Sequence, residues 1–217
     1  MCPDIIGNHC FLQEEDKTHM GVSIRQYALA DVVSFAKTTA RYGGLSNMAP
    51  QYPLFVNEVL IYSSESLYQA CKFPLHPEIQ KEIIEQRNPM VAKEISRKYE
   101  KFVRDDWDKV KYRVMEWCLE VKLIQNWDSM ANLLIETGNK DIVEYSVKDE
   151  IWGAKRVGST LVGQNAMGRL LMQVRANYIE QGRQRKKLLP PDVVGFLLFG
   201  YPIGIVYGQE YYNDEWF

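Results

Sequence analysis

The 217-residue chain predicts a mainly α-helical domain with a few short β-strands. Three observations lead there. Trp107, Val110, Val114, Trp117, Val121 and Ile124 recur at spacings of 3, 4, 3, 4 and 3 with charged residues between them, the period of one long core helix. From Asn165 a second amphipathic run carries Met167, Leu170, Leu171, Val174 and Tyr178 on one face and ends near Gly182. The stretch SSESLYQACKF, residues 63–73, opens with a serine able to cap a helix, Ser64, and an acid in the first turn.

The remaining elements follow in order. Residues 1–30 lack a sustained period and read as a loosely organised lead-in to a domain over 31–182. Asp31–Phe35 reads as a short strand, broken by the turn at Tyr42-Gly43-Gly44. Leu54–Val56 and Val59–Tyr62 flank an Asn57-Glu58 turn. Pro77 and Pro89 suit first helical turns, giving helices over about 77–86 and 89–97, the second capped by Asn88. A helix over about 128–137 buries Met130, Leu133 and Leu134 and stops at Gly138, and Ile142–Tyr145 reads as a strand. After 182 come the basic run Arg183–Lys187 and an uncharged stretch, Val193–Gln209. Glycines and a proline within about 17 residues make the latter a poor membrane span, so a packed extended tail or a docking surface is expected over 183–217.

Composition bounds the function. The chain is 46% hydrophobic and 25% charged, the balance of an ordinary folded protein. Its net charge of −2 supplies no global field to gather a polyanion, so any nucleic-acid contact is local. Cys2, Cys10, Cys71 and Cys118, with His9, His19 and His76, show no metal-ligand spacing; free thiols, no metal and no cofactor are expected. The acidic N-terminal region lacks the basic-then-apolar pattern of a signal peptide, which points to a cytoplasmic protein without a membrane partner.

Polar groups stand beside aromatics in three stretches: 63–73, 104–108 (RDDWD) and 149–155 (DEIWGAK). In the first, Glu65, Tyr68, Gln69 and Lys72 fall at i, i+3, i+4 and i+7, so an acid, a phenol, an amide and an amine share one helix face. Each stretch has a plainer reading. Glu65 can complement the helix dipole, Trp107 can be core, Asp149 and Glu150 loop acids, Gly153 a turn residue and Lys72 a solvated cation. GQNAMG, residues 163–168, lacks the Lys-Ser/Thr of a triphosphatase loop, yet can seat a phosphate on the helix beginning at Asn165. The residues alone carry the argument to a carboxylate-aromatic site.

The ordered motifs resemble the YbiA/NADAR family over about 32–178. They are Tyr42-Gly43, Leu45-Ser46-Asn47-Met48-Ala49, Ser64-Glu65, Tyr68-Gln69-Ala70, Lys72-Phe73 and Asn88-Pro89-Met90-Val91-Ala92. Arg104, Asp106-Trp107, Asp149, Trp152-Gly153, Asn165, Gly168, Leu170-Leu171-Met172 and Arg175 complete them. Where the family usually has His after the helix-starting Glu, this chain has Ser66, and no histidine role is carried over. The resemblance implies a YbiA-like, mainly helical N-glycosidase that cleaves ribose from exocyclic amines. It implies Glu65, Asp149, Trp107 and Trp152 as site residues, with Asn47 and Lys72 as neighbours and Gly153 and Asn165 in matching substrate-binding motifs. Glu65 and Asp149 are then the catalytic acids, Lys72 a candidate amine for imine capture, and the tryptophans stacking surfaces.

The spellings RYGGLSNMAP, SSESLYQACKFP and WGAKRVG resemble the branch that accompanies DarT-type DNA ADP-ribosyltransferase toxins. That branch implies removal of ADP-ribose from guanine in DNA or a nucleotide, with Arg183–Lys187 contacting flanking phosphates. Two alternatives stand beside it. One is an N-glycosidase for ribosylamino-pyrimidine phosphates of riboflavin biosynthesis. The other is a non-enzymatic module that binds ADP-ribose, or that docks on a toxin through Val193–Gln209.

Overall fold

The computed structural model describes residues 23–179 and 186–208. The expectation of a mainly α domain is corrected: the fold is mixed α/β, 41% helical and 18% strand. The difference is one of signal. Strands β1 to β11 are each two to four residues long, too short for a period of two to register against neighbouring turns.

β1 (Arg25–Ala28), β6 (Lys155–Val157) and β7 (Thr160–Gly163) form an antiparallel sheet in the order β1-β7-β6, so the end of the lead-in is recruited as an edge strand. β2 (Val33–Phe35) pairs in parallel with β5 (Ile142–Glu144), Phe35 standing opposite Glu144. β3 (Leu54–Val56) and β4 (Val59–Ile61) form a hairpin whose turn residues Asn57 and Glu58 both take positive φ. Asn tolerates that region better than Glu does.

Helix α1 (Ser64–Ala70) is capped by Ser63, one residue before the expected serine: the Ser63 hydroxyl accepts from the Ser66 amide at 3.1 Å. α2 (Pro77–Ile84) and α3 (Pro89–Lys98) begin at their prolines, and the Asn88 side chain accepts from the Met90 amide at 3.0 Å. α4 (Trp107–Gln125) buries the predicted stripe from Val110 to Ile124, while Trp107 at its head is only half-buried. Each fully buried aliphatic side chain there contributes about 1.5–3 kcal/mol. α5 (Trp127–Glu136) and α6 (Ala166–Val174) complete the core, and α6 runs on into a π turn at Arg175–Ile179.

From residue 186 to residue 208 the chain packs on the same core. β8 (Lys187–Leu188) pairs with β11 (Val206–Tyr207), and β9 (Leu197–Leu198) with β10 (Tyr201–Pro202). Gln80 of α2 clasps this region, donating to the Leu197 carbonyl at 2.9 Å and accepting from the Phe199 amide at 2.7 Å. Leu188, Phe196, Leu198 and Val206 are buried in the main cluster. Of the basic run, Arg183–Arg185 lies outside the described residues, whereas Lys186 and Lys187 are exposed. Among the described residues no helix is long and apolar enough to cross a membrane.

Candidate active site

The sequence builds one wall of the site from α1. Its cap and its burial of Leu67 and Ala70 fix the helix, and the i, i+3, i+4, i+7 face then points into a cavity of about 400 Å³. Glu65 is 2% exposed, and among the described residues the partners of its carboxylate are donors. Asn47 Nδ2 donates to Oε2, Gln69 Nε2 donates to Oε1 at 2.8 Å, and Lys93 Nζ stands 3.8 Å from Oε1. The Glu65 amide in turn donates to the Asn47 carbonyl at 2.9 Å, so the two residues clasp through main chain and side chain alike.

Behind that clasp lies Lys122 of α4, fully buried, whose Nζ donates to the carbonyls of Gly44 and, at 2.9 Å, Ser46. It ties the loop carrying Asn47 to the long helix. Burial without an acid partner lowers its pKa to about 7.

Lys72, one turn beyond Tyr68, is half-buried with its ammonium 5.7 Å from the Tyr68 ring centre and 5.5 Å from that of Trp107. Burial, opposed by the charge of Glu65, brings its pKa down to about 8. Tyr68 packs on Trp107 at 4.9 Å and edge-on to Trp152 at 5.7 Å. Burial first, then Glu65, hold its phenol well above the ordinary value, so it stays a neutral O–H.

The facing wall comes from the end of β5 and the turn after it. Asp149 accepts at Oδ1 from the amides of Ile151 and Trp152, both at 2.9 Å, which closes the turn and presents the Trp152 ring to the cavity. Glu65, Asp149, Lys72, Asn47, Trp107 and Trp152 therefore line one space, although they are spread from residue 47 to residue 152.

Gly153 and Asn165 stand behind that wall and do not line the cavity. A Cβ on Gly153 would lie 2.6 Å from the Glu144 carbonyl oxygen. Asn165, fully buried with φ 51°, donates from Nδ2 to the Ile142 carbonyl at 2.8 Å and accepts at Oδ1 from the Glu144 amide at 3.0 Å. Its side chain is spent on holding β5, not on a phosphate.

Four charged groups of the cavity were not singled out from the sequence: Glu144, Lys93, Arg97 and Lys111. Lys93 and Arg97 lie at i, i+4 on α3, a repeated like charge that a stable helix has no reason to prefer. Lys111 pairs with Asp108 at 2.7 Å on the first turns of α4. Glu144 closes an otherwise apolar strand, at the carboxyl end of a parallel pair, where ligands of α/β sheets often bind. A larger open groove of about 660 Å³ lies beside Val59, Tyr62 and Phe199, but the charges there, Lys81 and Glu85 among them, pair along α2.

The NADAR domain description matches residues 34–178. N-glycosidase YbiA of Escherichia coli K12 is 34% identical over 151 residues, covering 69% of this chain and 91% of that protein. A riboflavin biosynthesis protein of Vibrio vulnificus is 31% identical over 152 residues, 70% of this chain and 40% of that protein. The chloroplastic riboflavin biosynthesis protein PYRR of Zea mays is 33% identical over 162 residues, 69% of this chain and 25% of that one. The chain thus spans less than half the length of the two riboflavin proteins. The NMR structure of E. coli YbiA superposes with a TM-score of 0.60 at 32% identity, covering 71% of this chain and 90% of that one. By sequence over two thirds of its length and by fold, the chain belongs to the NADAR domain family.

Proposed function

We propose that this protein is an N-glycosidase that hydrolyses the bond between ribose C1 and an exocyclic base amine, with ADP-ribose on guanine, in DNA or a nucleotide, as its substrate. The observation that carries the reading is the convergence of Glu65 and Asp149, 84 residues apart in sequence, on one tryptophan-lined cavity. As the C1–N bond lengthens, positive charge grows on the sugar and negative charge on the base nitrogen. The Glu65 carboxylate, fixed by Asn47 and Gln69, stands ready to stabilise the sugar cation without reorganising. Asp149, with Oδ1 committed to the turn, has its second oxygen for a ribose hydroxyl. Trp107 and Trp152 flank a planar base and exclude water. Lys93, Arg97 and Lys111 line the cavity and supply the positive charge for the phosphates there. Lys72, partly neutral near pH 8, is the amine that would capture a ring-opened imine by exchange.

In this reading the protein removes the modification written by a DNA ADP-ribosyltransferase toxin. The names of the Vibrio and maize relatives favour a second substrate, the ribosylamino-pyrimidine phosphates of riboflavin biosynthesis, which present the same bond and a single phosphate. Side-by-side assays decide between them: ADP-ribose released from modified single-stranded DNA, against ribose 5-phosphate released from the pyrimidine. Faster turnover of the DNA substrate is expected. A preference for the pyrimidine transfers the assignment to the second reading. Tight binding of ADP-ribose with no release from either substrate would leave only the non-enzymatic module.

A further inference from the structure

Four carboxyls line the cavity; Asp108 pairs with Lys111, and the other three differ in what surrounds them, which assigns a role that neither wall alone suggests. Glu65 has donors on both oxygens, from Asn47, Gln69 and Lys93. Asp149 has two backbone amides on Oδ1. Both carboxyls therefore act as hydrogen-bond acceptors in this arrangement. Glu144 is the opposite case: among the described residues none donates a hydrogen bond to its carboxyl, and the charges that act on it most are the negative ones of Asp149 and Glu65.

Its backbone is nonetheless held on both sides. The amide donates to Asn165 Oδ1 at 3.0 Å, and the carbonyl accepts from the Ala154 amide at 2.8 Å. Asn165 reaches both Ile142 and Glu144 because it takes the left-handed region that Asn tolerates. Gly168 leaves room for it, since a Cβ there would stand 2.5 Å from Asn165 Oδ1 and 2.0 Å from the Ile142 carbonyl oxygen. A buried carboxamide is thus devoted to aiming one strand residue into the cavity.

We propose that Glu144 is the proton-transferring carboxyl of this site, donating to the departing exocyclic nitrogen and recovering the proton from the water that attacks C1. The proposal rests on the N-glycosidase reading. When the C1–N bond breaks, its electron pair goes to nitrogen, and the Glu144 O–H proton joins it to give the free amine. The oxygen of water bonds to C1, and the proton it sheds returns to the Glu144 carboxylate. One water is consumed and the residue is regenerated.

The groups around Glu144 agree with that cycle. Burial above all, then the negative charges of Asp149 from the following turn and Glu65 from α1, raise its pKa to about 7, with Lys93 of α3 opposing. Lys72, Arg97, Lys111 and Asp108 also line the cavity, as do the rings of Tyr68 and Trp152. A carboxyl that is half protonated near neutrality can both give and take a proton there.

The test compares wild type with Glu144→Gln on two leaving groups, a ribosylated exocyclic amine and 4-nitrophenyl riboside 5-phosphate, whose phenolate departs without a proton. The variant is expected to lose about 10²- to 10⁴-fold in kcat on the amine. Its loss on nitrophenolate release, where only the proton taken from water is affected, is expected to be about tenfold smaller or less still, and the fall in wild-type activity as pH rises above about 7 is expected to vanish. Equal losses on both substrates, or undiminished turnover of the amine by the variant, overturn the proposal while leaving the glycosidase reading intact. If the nitrophenyl compound is not turned over, the alkaline limb decides, and its persistence in the variant overturns the assignment. A wild type that cleaves no ribosyl amine removes the reading and the proposal together. A variant that fails to fold is replaced by Asn165→Ala, expected to weaken amine cleavage more than nitrophenolate release; an equal loss on both overturns the proposal.

Discussion

The two walls of the cavity contain the same functional group in opposite company. On the helical wall, Glu65 is ringed by Asn47, Gln69 and Lys93, each a donor. On the strand wall, Glu144 has Asp149 and Glu65 for neighbours and burial as the main influence on its charge. In the proposed reaction the first glutamate faces the sugar cation and the second transfers the proton. Neighbours, and not residue type, divide the labour.

The largest effect that breaks this comparison is at Glu65. Glu65→Gln keeps the volume and the hydrogen bond to one neighbour but removes the charge, and a fall of about 10³-fold in kcat is expected. Steady-state assays with a melting curve check it, because undiminished turnover by a folded variant strips the helical wall of its catalytic part. Next comes Lys72. Lys72→Met should lower kcat/KM by about 10²-fold. Borohydride tests the alternative of imine exchange: with water attacking C1 directly no adduct is expected on wild type, and one located at Lys72 by mass spectrometry would replace that step.

Stability sharpens the contrast from the other wall. The folded pKa of Glu144 is raised, so its contribution is fully present below the unfolded value of 4.5 and is lost as pH rises through about 7. Glu144→Gln should therefore equal wild type in unfolding free energy near pH 4.5 and exceed it by ~2 kcal/mol at pH 8.5, allowing for water in the open cavity. Urea titrations at both pH values measure this. A variant less stable than wild type at pH 8.5 would contradict the description of that wall. Smallest is the rim: Arg97→Ala should raise KM about fivefold with kcat unchanged, and a matching fall in kcat would put Arg97 in the chemistry instead.

The helical wall was legible in the sequence because an i, i+3, i+4, i+7 face needs only a helix start, and Ser63 with Ser64 announced one within a residue. Trp107 heads the periodic stripe of α4, and Asp149 and Trp152 share a short polar-aromatic stretch, but only the ordered motifs join them to Glu65 as one site. Glu144 was not legible, because a three-residue strand carries too little alternation to say which face its last side chain shares. Its place is fixed by the Asn165 carboxamide, 21 residues away, a tertiary contact with no local trace. The same brevity of strands turned a predicted mainly α domain into a mixed one. The family resemblance implies Asn165 as a substrate-binding residue, whereas its left-handed backbone turns the side chain inward to β5.

A crystal structure of the Glu65→Gln variant with ADP-ribose addresses both walls at once. The anomeric carbon is expected between them, about 3.5 Å from the side chain at position 65 and within reach of Glu144, with the pyrophosphate on Lys93 and Arg97. ADP-ribose seated elsewhere, with the space between Glu144, Asp149 and Trp107 left to solvent, would contradict the account.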